Sequence, residues 1–221
     1  MKKTVLDANS KLEKLDTIEN KCSFTHSDIS LLEGLARDAN EEIRLRVAQV
    51  LVFAPVNDAE RILLEMTNDT NELVRINVCD SLCCGSSQEV LRMLFAKALN
   101  DTYLVRSYAV LSIADVTKNG GLDVEHTRKF LEHGMKKERS CHVKISYCYA
   151  LCVIGYPQYA RDIFEQLNHR SYQIRCFSAN IIHQLVEVID SSAARNSLET
   201  RLLVEKANSV RIAIQSTLNS L

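Results

Sequence analysis

The chain has 221 residues, 46% hydrophobic and 25% charged, with 6 glycines, 2 prolines and no tryptophan; these proportions exclude intrinsic disorder, and so few helix breakers argue against an all-β fold. The formal net charge is -1 and the isoelectric point is near 6.6, so the chain lacks the basic excess with which nucleic-acid binders neutralise phosphate. No apolar run is long enough for a membrane helix, and Asp7 and Asn9 interrupt any signal core behind Lys2 and Lys3. A cytoplasmic protein with no membrane partner is expected, and in that compartment its 8 cysteines are thiols.

Residues 1–24 read as a capping helix, weakly amphipathic through Leu12, Leu15 and Ile18. A helix–turn–helix unit of about 31 residues then recurs. The first helices are predicted over 28–37, 59–67, 88–99, 124–135, 159–167 and 194–207. Each is followed by a second helix that opens on a β-branched residue and a basic one: Ile43-Arg44, Val74-Arg75, Val105-Arg106, Val143-Lys144, Ile174-Arg175 and Val210-Arg211. The spacings are 31, 31, 38, 31 and 36 residues, as loop insertions in a regular repeat would give.

The register continues along each second helix. Offset four holds Val47, Val78, Ala109, Tyr147, Ser178 and Ile214, and offset eight holds Leu51, Leu82, Ile113, Leu151, Ile182 and Leu218. Such offsets trace one face of a helix. Thr25 with Asp28, Asn57 with Glu60, and Ser86 with Glu89 have capping-box spacing, while Gly85 and Gly155 are placed to end helices. The predicted fold is all-α: a single solenoid domain over 1–221, with repeats one to three at 25–116, a loop at 117–123 around Asn119-Gly120-Gly121, and repeats four to six at 124–221.

The segments 38–51 and 69–82, each running from an aspartate through the β-branched–basic pair to a leucine, resemble HEAT repeats of the short bacterial, phycobilisome-lyase type. The resemblance spans about residues 27–221 and implies a right-handed superhelix of about six hairpins. It also implies a charge ladder between adjacent repeats, carried by Asp38 with Arg44, Asp69 with Arg75, and Asp101 with Arg106. Repeats four to six depart from it, with Asn168 and Asn208 near the acidic position.

Cys79 with Cys83 and Cys148 with Cys152 stand one helical turn apart, a spacing that can supply half of a zinc site. Cys79 and Cys148 share a column with Ala48, Val110 and Ala179, and Cys83 and Cys152 share one with Val52 and Ala114, where cysteine serves as a small apolar residue. The six histidines show no ligand spacing, and no phosphate loop is evident. No metal, cofactor or catalytic residue is expected.

Offsets three, six and ten of the second helices point away from the packing stripe. Phe53, Tyr108, Leu111, Tyr149, Val153 and Phe177 stand there and are the candidate partner-binding residues. The expected function is a non-catalytic interaction or scaffold module that holds a protein or peptide on this face. The resemblance implies two alternatives: a DNA-repair protein similar to alkylpurine glycosylases, or an enzyme similar to bilin lyases. The charge balance and the missing tryptophans weigh against the first.

Overall fold

The computed structural model describes residues 7–221 and shows thirteen α-helices, two short 3-10 turns and no strand among them. The chain divides into two compact units, one ending at Leu122 and the other spanning Asp123–Leu221. The first contains α1 (Ala8–Glu19), α2 (His26–Leu35), α3 (Glu41–Leu51), α4 (Val56–Met66), α5 (Glu72–Ser81), α6 (Gln88–Leu99) and α7 (Tyr103–Asn119). The second contains α8 (Val124–Lys137), α9 (Cys141–Val153), α10 (Ala160–Gln166), α11 (Tyr172–Gln184), α12 (Ser191–Val204) and α13 (Asn208–Ser220).

In each unit the hairpins pack side by side through their second helices: α1 on α3, α3 on α5 and α5 on α7 in the first, α9 on α11 and α11 on α13 in the second. A lone hairpin cannot bury its apolar stripe, whereas a stacked one can. The predicted columns are that stripe. Ile43, Val74, Val105, Val143 and Val210 are fully buried, as are Leu51, Leu82, Ile113, Leu151 and Ile182. Buried hydroxyls add matched bonds between neighbours: Ser112 donates to the Cys79 carbonyl at 2.7 Å, and Thr217, its equivalent in the second unit, to the Ala179 carbonyl at 3.1 Å.

Three local expectations are corrected. Thr117–Asn119 are helical: Thr117 is buried with its hydroxyl satisfied by the Ile113 carbonyl, and a Schellman turn closes α7 only beyond them. In that turn Leu122 N–H donates to Thr117 and Gly121 N–H to Lys118, with Gly121 at φ 56°. The connection therefore shrinks to 120–123, shorter than the segment 185–190 between α11 and α12. Thr25 and Asp28 do form a capping box, but α4 begins after Pro55 without a side-chain cap. Glu60, expected to cap α4, instead accepts the Ser86 and Ser87 amides at 2.6 and 3.1 Å. The cap of α6 is Ser87, not Ser86.

Candidate functional site

Three arginines of the basic column hold adjacent hairpins together. Arg44 makes a two-pronged contact with Asp69 of the next hairpin, at 2.6 and 2.9 Å, and Arg75 reaches Asp101 in the same way. Arg175 grips Glu205 at 2.6 and 2.8 Å. Asp38 receives Lys11 from α1 at 2.6 Å. Each aspartate thus takes a basic side chain from the helix unit before its own, and Asp101 takes Lys97 of its own hairpin as well, at 3.2 Å. Within its own hairpin each arginine donates to the carbonyl of the same loop: Arg44 to Asp38, Arg75 to Asp69 and Arg106 to Asp101.

The acidic position of the second half was missed. It falls on Glu138 and Glu205, with His169 between them, rather than near Asn168 and Asn208. Asp38, Asp69, Asp101, Glu138, His169 and Glu205 each accept a backbone amide one or two residues on. The Glu205 carboxylate is wholly buried between Arg175 and Arg201. The Arg175 guanidinium is the first cause holding it well below the ordinary carboxylate range.

With these arginines engaged, the outward face of the second helices is the remaining candidate site. In the first unit Arg46 is tied to Asp16 and Glu19 of α1, and Gln49 donates to Asn77 at 3.1 Å. Beside them lies a cleft of about 310 Å³ lined by Val52, Phe53, Asn77, Asp80 and Cys83, among others. Phe53 is 59% exposed at its edge. Tyr108 and Leu111 are half-buried.

Burial raises the Asp80 carboxyl, and burial together with the Asp80 charge raises Asp115 to about 6 against the pull of Lys118. Burial pushes the Tyr108 hydroxyl up as well, with Asp80 adding to it. Both acids stand on the same outward face as Arg46, Asp80 at offset six and Asp115 at offset ten, and both can be read there from the helical period.

In the second unit Tyr149 and Val153 are half-buried, and Phe177 stacks on His142 with ring centres 3.7 Å apart. Burial lowers the His142 imidazole. Another cleft, of about 320 Å³, opens between α8, α9 and α10, lined by Met135, Cys141, Lys144, Cys148 and Asp162, among others. Cys79 and Cys148 are buried, and burial pushes both thiols up to about 12. Among the described residues no three His, Cys, Asp or Glu side chains converge on a metal position. No described helix is long and apolar enough to cross a membrane.

The fold defines an all-helical repeat protein of the α-solenoid class. No family model and no curated protein matches the sequence. Among solved structures the chain is similar to YibA of Escherichia coli, a HEAT-like repeat protein, with a TM-score of 0.58 and 21% identity over 97% of this chain and 76% of that one. It also aligns with human deoxyhypusine hydroxylase, at a TM-score of 0.47 and 17% identity over 97% and 80% of the two chains. A third alignment is to the CpcE–CpcF phycocyanin lyase complex of Nostoc sp. PCC7120, at 0.44 and 11% over 91% and 96%. The likeness to YibA is one of fold.

Proposed function

We propose that this protein is a non-catalytic interaction module that holds a partner protein or peptide on the outward face of its second helices. One observation carries the reading. Phe53 projects into solvent from a cleft that it lines together with the polar side chains of Gln49, Asn77 and Asp80. An exposed aromatic beside such a cleft supplies the anchor that interfaces use, a large apolar contact ringed by orienting hydrogen bonds. Arg46 is held by carboxylates and Asp80 and Asp115 are acids, so the face of the first unit is a poor match for a phosphate backbone.

Panning a peptide library on the immobilised protein tests this. Selected peptides should bind the parent, and Phe53→Ala should weaken them by about 1–3 kcal/mol, the usual cost of truncating an anchor. Peptides that bind the Phe53→Ala protein equally well, but lose binding when the first helices are altered, would place the site on the other face.

A further inference from the structure

The first unit carries two adjacent thiols that the interaction reading does not use. Cys83 and Cys84 close the 3-10 turn Leu82–Cys84 that follows α5, and their sulfurs lie 3.8 Å apart. The turn is pinned from several sides. Gly85 N–H donates to Leu82 at 2.9 Å, the Asn119 amide donates to the Cys83 carbonyl at 3.0 Å, and Glu60 holds the two amides that follow Gly85. Cys84 is exposed, whereas Cys83 is half-buried and lines the cleft beside Phe53.

We propose that Cys83 and Cys84 form a dithiol site that captures a soft, thiophilic centre bringing its own remaining ligand, with a monosubstituted trivalent arsenical as the fitting chemical class. Bonds of about 2.3 Å from each sulfur to one pyramidal centre, at an angle of about 95–100°, need a sulfur–sulfur gap of about 3.4–3.5 Å. The two sulfurs, 3.8 Å apart, need close by only a few tenths of an ångström to share a partner. A closed zinc site needs four protein ligands, and among the described residues no third His, Cys, Asp or Glu joins the pair to hold a metal. A trivalent arsenic that already carries one carbon substituent needs only two sulfurs.

Protonation favours the same class. Burial, with the neighbouring Cys84, pushes the Cys83 thiol up to about 12. Chemistry that depends on a standing thiolate is slow there. Condensation with an arsenic–oxygen bond proceeds from the thiols: two As–S bonds form, the As–O bonds break, both thiol protons leave with the oxygen as water, and nothing is oxidised or reduced.

The test is titration of the reduced full chain with phenylarsine oxide, read by intact mass. One phenylarsenic should add per chain, released by dithiothreitol and retained against a monothiol. Cys84→Ser, at an exposed position, should abolish the dithiol-selective adduct, and Cys83→Ser should do the same. Cys148→Ser should leave it intact. No uptake by the parent, or an adduct of unchanged stability in Cys84→Ser, would overturn the assignment.

Discussion

Two buried-acid environments in this chain have opposite signs, and the difference lies in what each carboxyl touches. Glu205 accepts from two guanidinium groups and two backbone amides, so its charged form is favoured despite complete burial. Asp115 sits in a half-buried position where desolvation outweighs the help from Lys118, and its folded pKa rises to about 6. An unfolded aspartate ionises near 3.9. The folded chain therefore holds this proton more tightly than the unfolded one, and stability falls as pH rises from about 4 to about 6. Replacing the carboxylate by a neutral amide removes that loss. At about 1.4 kcal/mol per pKa unit, reduced for partial solvent screening, Asp115→Asn should gain about 1–2 kcal/mol at pH 8 and nothing at pH 4. Urea denaturation at the two pH values measures it, and equal midpoints at pH 8 would show that the carboxylate is well solvated.

At the scale of the helix, two glycines separate intrinsic propensity from packing. Gly34 in α2 has open space where a Cβ would stand. Gly134 in α8 has the Tyr147 hydroxyl 2.4 Å from that point and the ring carbons at 2.7 and 2.8 Å. Tyr147 is the largest fully buried side chain of the core, and it fits only because α8 presents bare backbone to it. Gly34→Ala should stabilise by up to about 1 kcal/mol, the helix-propensity gain. Gly134→Ala carries the same gain but drives a methyl into the Tyr147 ring, so a net loss of about 1–3 kcal/mol is expected. Thermal melts of the two variants should move in opposite directions; a common direction would mean that Tyr147 can repack.

The sequence made some of this legible and hid the rest for physical reasons. The β-branched–basic register could be read because every hairpin must bury the same stripe, so Ile43, Val74, Val105, Val143 and Val210 recur in type as well as place. The loop acceptor was read only as far as it remained aspartate. Glu138, His169 and Glu205 do the same work of accepting a loop amide, with different side chains. The outward face was identifiable from the helical period, but the period does not report how much of each side chain its neighbours cover. Phe53 is exposed where Leu111 and Tyr108, in the same set, are half-buried.

At the scale of the whole molecule, stability in a stacked array is a sum of hairpins and the interfaces between neighbours. In the first unit those interfaces are continuous from α1 through α7 and include two bidentate arginine–aspartate contacts, Arg44–Asp69 and Arg75–Asp101. The unit holds a cap helix and three hairpins, the number at which repeat arrays generally become stable by themselves. A fragment ending at Leu122, where the Schellman turn already terminates α7, should therefore fold alone. Its far-ultraviolet circular dichroism should be helical and its urea transition cooperative. The bidentate pairs are mostly buried, so the transition should respond little to salt, unlike one that rests on exposed ion pairs. Within the same fragment Leu82→Ala, at a fully buried column position, should cost about 2–5 kcal/mol. Cys79→Ala, in the neighbouring column, should cost about 1 kcal/mol because few atoms are removed. A fragment without a cooperative transition would mean that its three hairpins cannot hold their stripe without the second unit.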